Sequence, residues 1–427
     1  MSRVCQWLSA CGRFAGERLE PARIRFICLA IVGLSVAMLV LSFATRTENQ
    51  TIFGTPLGAD FAGFYYAGQI LNDGQPHLLY DRNHQSARFH ALLPRLQPGE
   101  ELPYVHPPFV AFAFRPLALL PLSVAFAVWL LVSASLYVAG CWLLWQVGTG
   151  FQAGDRTTAL VLLLAFEPFV MECWLGGQLS AVAFFLFALA FHLEMRGRAM
   201  LSGLALGLCL YKPTLLVLFL PMLGVGRRGW TFAGAALGGT FLAGVAILAV
   251  GWDESLHYLQ VLRGFSEETA GSLKLRDWKY VDLNTFFRLL LGGTSIWQRA
   301  VLVATCAGPL AYLARLWWTF GREGEAVRRL TWAATLTGTC VLNVYFGVYD
   351  TVVAAAAALI TADVLRAARP GTPFPAVFKW LMVLLFVVPW VTQPLARCTH
   401  VQTYTLVLCA LLVFEMRSAA VLCRGAA

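Results

Sequence analysis

The chain has 427 residues, of which 59% are hydrophobic and only 13% charged. A soluble chain of this length could not cover its surface with so few charges, so its solvent is lipid and the soluble classes are excluded. The net charge of +9 does not point to nucleic acid, because the arginines cluster in short loops between apolar runs, as orientation signals do.

A tail over residues 1–23 carries Arg3, Arg13, Arg18 and Arg23 and places the N-terminus in the cytoplasm. The first apolar run, residues 24–44, is too long for a signal-peptide core and is read as a spanning helix. A polar stretch at 45–107 follows as a first outer loop. Within it, residues 61–71 show aromatic and small residues at helical spacing, which predicts an amphipathic helix lying in the interface. Pro107-Pro108 opens a short apolar run broken at Arg115-Pro116, read as re-entrant or interfacial.

Further apolar runs lie at 122–145, 157–174, 179–193, 201–210, 214–223, 230–250, 296–318, 330–346, 351–365, 377–391 and 401–415. Together they predict an all-α polytopic membrane protein with about 11–13 transmembrane helices in a single integral membrane domain, 1–427. Lys212-Pro213 splits two of the short runs into half-helices meeting inside the membrane, since proline stops the first and a lysine is costly in lipid. Basic residues crowd one set of short loops, from Arg156 to Arg369, whereas Lys212 and Arg397 are alone in the other set. That asymmetry predicts cytoplasmic termini, with the 45–107 loop and a second large loop, 251–295, outside. Two large polar loops on one face predict a working site there.

Asp60 stands first among the candidates. Gly58, Ala59, Ala62 and Gly63 leave room beside its carboxylate, which suits a general base approaching a sugar hydroxyl. The competing reading is an N-cap for a helix beginning near Phe61. Tyr65 and Tyr66 follow on the same segment, and Asp81 reads as a turn residue or secondary acid. Tyr104 and His106 stand where the chain re-enters lipid, as candidates for binding the donor, the histidine as catalyst or as hydrogen-bonding anchor. Gly176-Gly177-Gln178 forms a tight turn, with an amide able to bind a hydroxyl or phosphate. Glu167 and Glu172 lie five residues apart and therefore off a common α-helical face, which argues against a paired-carboxylate site. Lys212 faces an anion, with lipid phosphate the obvious one, or snorkels to the interface. Tyr349 and Asp350 close an aromatic turn, and Arg276 and Lys279 add cations in the second loop. The eleven cysteines show neither metal-ligand spacing nor a disulfide framework. No Asp-x-Asp pair and no glycine-rich phosphate loop is present, which disfavours nucleotide sugars and ATP.

Four segments in order resemble glycosyltransferase family 87, the polyprenol-phosphate-mannose-dependent mannosyltransferases of the GT-C fold. They are Asp60-Phe61 with Tyr65-Tyr66-Ala67 and Gly74…Leu79-Tyr80-Asp81; His106-Pro107-Pro108 with Pro116-Leu117 and Leu120-Pro121; Gly177-Gln178; and Gly203…Gly207…Lys212-Pro213. The likeness covers residues 58–213, with only hydropathy resembling the family beyond, and it departs at His106, where a tyrosine would precede the proline pair. It implies an active site on the extracytoplasmic face of a bacterial inner membrane and a sugar donor on polyprenyl phosphate. It further implies a lipid or glycan acceptor, Asp60 as base and inversion at the anomeric carbon. Mannose is the sugar the resemblance implies; no metal and no other cofactor is expected. A lipid-glycan transporter or flippase is the alternative, and a non-catalytic assembly subunit the third reading.

Overall fold

The computed structural model describes residues 20–45, 50–52, 56, 58–95, 102–272 and 277–425. Arg276 lies outside them. The described residues are helical almost throughout and contain no strand, only the isolated bridges Gln50–Pro56 and Tyr280–Gly347. An all-α membrane protein follows directly from a chain that cannot leave backbone groups unpaired in hydrocarbon.

In chain order the helices are α1 (Pro21–Thr45), α2 (Ala59–Asn72), α3 (Arg82–Leu92), α4 (Pro108–Phe114), α5 (Leu122–Val147) and α6 (Ala153–Leu164). A π-helical segment, Pro168–Leu175, leads to α7 (Ser180–Met195), α8 (Ala199–Leu208), α9 (Phe219–Val225), α10 (Gly229–Val250) and α11 (Trp252–Ser272). Then come α12 (Leu283–Leu290), α13 (Ile296–Thr319), α14 (Glu325–Val341), α15 (Val352–Ala368), α16 (Ala376–Val387), α17 (Pro389–Thr399) and α18 (Thr403–Gly425).

Among the described residues, six helices are long and apolar enough to cross a membrane: α1, α5, α10, α13 with its extension to Arg322, α15 with its lead-in from Val348, and α18. Two bent pairs, α6 with the π-helix at 52° and α16 with α17 at 73°, bring the number to eight if each pair is one broken span. The remaining apolar runs counted in the sequence are shorter helices such as α7 and α8, or the buried α14. Hydropathy alone does not separate a lipid-facing span from a buried core helix. α15 shows the difference: 89% of its apolar window is buried inside the protein, against 22% for α1. Its Val352-to-Ala358 stretch of small side chains lets α7 and α14 close around it.

α8 and α10 pack backbone to backbone. A Cβ on Gly203 would lie 1.9 Å from the Thr231 carbonyl oxygen, and one on Gly234 would lie 2.1 Å from that of Met200. Small residues four apart permit this approach in a membrane, where apolar side chains gain little from one another. The break expected at Lys212-Pro213 is present. A 3₁₀ turn at Cys209–Tyr211 ends the first helix, Lys212 is extended as a residue before proline must be, and a second 3₁₀ turn, Pro213–Leu216, starts toward α9.

The 61–71 segment does not lie free in an interface. α2 is buried on nearly every side, from Phe61 to Leu71, with α4, the Leu117–Leu119 turn and α5 packed around it. Its aromatic face meets Phe114 and Phe126, with Phe61 ring centroids 6.0 and 5.3 Å away. The short apolar run at 108–119 is thus the wall of α2 and does not cross the membrane.

Candidate active site

Asp60 sits in the first turn of α2, and the cap of that helix is Gly58, whose φ of 62° is left-handed and which makes no side-chain cap bond. The capping alternative for Asp60 is therefore wrong. A Cβ on Gly58 would meet the Phe126 ring at 2.7 Å, so both conformation and space call for glycine. The Asp60 backbone N–H donates to the Gly176 carbonyl at 3.2 Å. Gly177, with φ of 84°, presses so closely that a Cβ would lie 2.5 Å from Cβ of Phe61. The tight turn after the π-helix thus docks directly on the start of α2 and brings Gln178 to the Asp60 carboxylate.

The π-helix decides a second point. Gly176 and Gln178 donate their N–H groups five residues back, to Met171 at 3.1 Å and Cys173 at 2.9 Å. Residues five apart then share a face, which an α-helix forbids. Five-residue spacing therefore does not keep Glu167 and Glu172 apart: their charges interact, and that of Glu172 also reaches Asp60. Glu172 accepts a hydrogen bond from Gln393 Nε2 at 2.5 Å. No local signal marks the π register; an isolated glutamate inside an apolar run was the available clue.

Lys212 and Asp350, read separately from the sequence, form one ion pair. Asp350 is buried and also accepts from Ser180 Oγ at 3.0 Å. Lys212 Nζ lies 4.6 Å from the Tyr349 ring centroid. The lysine therefore neither snorkels freely nor stands as a bare cation. Ser180 gave no sequence signal, because a serine at the start of a helix is usually read as a cap.

The second large loop folds back over this cluster. The N–H of Val281 donates to the Phe346 carbonyl at 2.8 Å, and that of Phe346 to Asp282 Oδ2 at 2.9 Å. Gln402 Nε2 donates to the Trp278 carbonyl at 2.7 Å, and Thr405 Oγ1 to that of Val281 at 2.8 Å. These bonds fix the Asp277–Lys279 turn so that the Lys279 charge bears on Asp60. Among the described residues Lys279 has no carboxylate partner; its ammonium lies 5.3 Å from the Trp278 ring.

Asp60 itself is half-buried. Burial pushes its carboxyl up to about 7; Glu172 adds to the rise, and Lys279, Gln178 and Lys212 oppose it. His106 lies on the same side, with Nδ1 3.4 Å from the Tyr211 carbonyl oxygen and its ring against Phe64. Burial and then the Lys212 charge hold its imidazole down to about 4, so it is neutral at physiological pH.

The remaining candidates are placed otherwise. Tyr65, Tyr66 and Tyr104 are buried, and their hydroxyls are taken: Tyr65 donates to Leu120 at 2.7 Å, Tyr66 to Leu102 at 3.3 Å and Tyr104 to Pro107 at 2.7 Å. They staple the first loop to itself and to the Leu120 turn that follows α4. Asp81 is exposed and caps α3, accepting from the His84 N–H at 2.7 Å. Among the described residues no group of three or more His, Cys, Asp or Glu side chains is set to hold a metal ion. The structure thus gathers Asp60, Glu172, Gln178, Lys212, Lys279, Tyr349 and Asp350 from five separate segments.

Among known families, the chain matches the model of Glycosyltransferase family 87 over residues 104–344, more than half its length. The match includes His106, Gln178, Lys212 and Lys279 and begins downstream of Asp60. It also runs well beyond the four segments whose likeness was visible by motif. Neither a curated protein nor a solved structure matches.

Proposed function

The chain belongs to glycosyltransferase family 87 and is a membrane glycosyltransferase; from this premise we propose that it moves a hexose from a polyprenyl-phosphate donor to a lipid or glycan acceptor, with Asp60 as the base. The observation that carries the reading is Asp60 itself. It is a half-buried carboxylate whose proton affinity is raised to about 7, set beside an amide and within the field of two lysines. A base is most useful when its pKa lies near the working pH.

In the proposed step, Asp60 takes the proton of the acceptor hydroxyl as that oxygen bonds to the anomeric carbon. The bond from that carbon to the phosphate oxygen breaks, and polyprenyl phosphate leaves with the electron pair. Attack opposite the leaving group inverts the centre. Lys279, which has no carboxylate of its own among the described residues, meets the phosphate charge. Lys212, oriented by Asp350 and Ser180, adds positive potential from behind it. Gln178 orients the acceptor hydroxyl or the sugar. The scheme calls for no metal or cofactor. Mannose is the sugar we favour from the motif likeness. The arginine asymmetry supports an extracytoplasmic Asp60 end in an inner membrane, with both termini cytoplasmic.

The test is transfer of radiolabel from polyprenyl-phosphate-mannose to endogenous membrane lipids, wild type against Asp60→Asn. We expect the substitution to reduce transfer by roughly 10²–10⁴-fold. Equal transfer by both proteins would remove Asp60 from the chemistry. Labelled donor crossing the membrane without transfer would point to a transporter instead.

A further inference from the structure

A cavity of about 720 Å³ lies away from this cluster, between α1, α6, α15 and α16. Its polarity runs in one direction along all four helices. Arg25 and Asp155 stand at the starts of α1 and α6, Arg366 at the end of α15 and Lys379 at the start of α16. These four helix ends belong to one end of the bundle, the end opposite Asp350. The opposite helix ends contribute only apolar side chains, among them Leu163, Phe166, Ala355, Leu385 and Phe386. The charged end is the open one, with Gln152, Pro373 and Lys379 exposed.

Three cations there face one carboxylate, and that carboxylate is shared with Arg366 at 3.7 Å. Arg366 has its Nη1 on the Thr372 carbonyl at 3.2 Å and its guanidinium 4.4 Å from the Phe374 ring, while its buried Nε has no partner. From Arg366 to Ala355 the groove follows α15 for roughly 16 Å. A single leaflet of hydrocarbon is about 15 Å deep. A site with cations at one mouth, an apolar length of one leaflet and walls made of membrane-spanning helices fits a molecule with an anionic head and an acyl tail.

We propose that this groove binds an anionic phospholipid from the leaflet opposite the active site, headgroup phosphate on Arg25, Arg366 and Lys379, acyl chain against Phe166, Ala355 and Phe386. The lipid ties α1 and α16 to the central α15. Basic pockets between spanning helices recognise anionic headgroups in this manner. Neither the sugar nor the role of Asp60 enters the argument, so the proposal stands or falls separately from the reaction.

The experiment is native mass spectrometry of the full-length protein in detergent, titrated with dioleoylphosphatidylglycerol or dioleoylphosphatidylcholine. Wild type is expected to retain one phosphatidylglycerol in preference to phosphatidylcholine. The double variant Arg25→Gln/Lys379→Gln, altered only near the mouth, should bind it roughly ten- to thirtyfold more weakly. Ala159→Phe, which fills the groove from α6, should lose it while elution stays that of wild type. Equal retention of both lipids, or unchanged binding by the double and the filled variants, would overturn the proposal. So would displacement of the lipid by inorganic phosphate, which would mark a free-anion site. Failure of the full chain to retain any lipid would give the groove to another occupant, its own residues 1–19 included, with the same result.

Discussion

Two carboxylates occupy opposite ends of the bundle in opposite states of satisfaction. Asp363, near the end of α15, accepts the N–H groups of Thr149, Gly150 and Phe151 at 3.2, 2.8 and 3.1 Å and pairs with Arg329. The loop wraps it so closely that a Cβ on Gly148 would lie 2.7 Å from its Oδ1. Nothing else can approach. Asp60, at the other end, has an amide beside it, a second carboxylate nearby and cations at a remove, and it keeps part of its surface open. Both are acids held by protein in a membrane, yet the first locks α5, α14 and α15 together while the second is left wanting a partner. A buried charge that is fully paired belongs to the fold; one left under-satisfied and partly exposed is a candidate for chemistry.

This contrast can be broken by experiment. The largest effect should come from Asp60→Asn, which is expected to abolish transfer by the factor given above without unfolding the protein. The folded chain holds the Asp60 proton more tightly than the unfolded chain does. The stability this confers is therefore complete below the ordinary value of 3.8 and is lost as pH rises through about 7. Thermal melts at pH 8 should accordingly show Asp60→Asn more stable than wild type, and a less stable variant would contradict the contrast.

Asp363→Ala should do the reverse, removing about 3–5 kcal/mol of stability by stranding buried Arg329. Chaotrope melts of purified protein would report it. A variant that folds as well as wild type would show that the saturated end is not structural.

The Lys212–Asp350 pair falls between these cases. Lys212→Met should cost about 1–3 kcal/mol by leaving Asp350 alone, and Lys212→Met/Asp350→Leu should recover part of that loss. Additive losses in a double-mutant cycle would mean that the pair is not coupled.

The smallest effect is expected from Glu172→Gln. Removing the second carboxylate lowers the proton affinity of Asp60, so the acid limb of the pH–rate profile, set by protonation of the base, should move to lower pH. An unmoved limb would take Glu172 out of the site.

How much of this was legible beforehand depends on the range of the interaction concerned. The lipid solvent, α1, α5, α10 and α13, and the break at Lys212-Pro213 all rest on composition and on proline, which act over a few residues, and the amino-acid sequence alone determined them. The setting of Asp60 among small residues was legible too, because it is a local feature; the role given to it is the proposal above. The tertiary structure decided the rest. It buried α2, which by periodicity resembled a surface helix, because α4 and the Leu117–Leu119 turn cover it. It converted a run that read as α-helical into a π-helix and so gave Glu172 a place beside Asp60. It joined Lys212 to Asp350 across the chain and brought Lys279 to the site by stapling its loop to Phe346 and Gln402. Such pairings depend on which segments meet in space, and no hydrophobic period or local propensity encodes that.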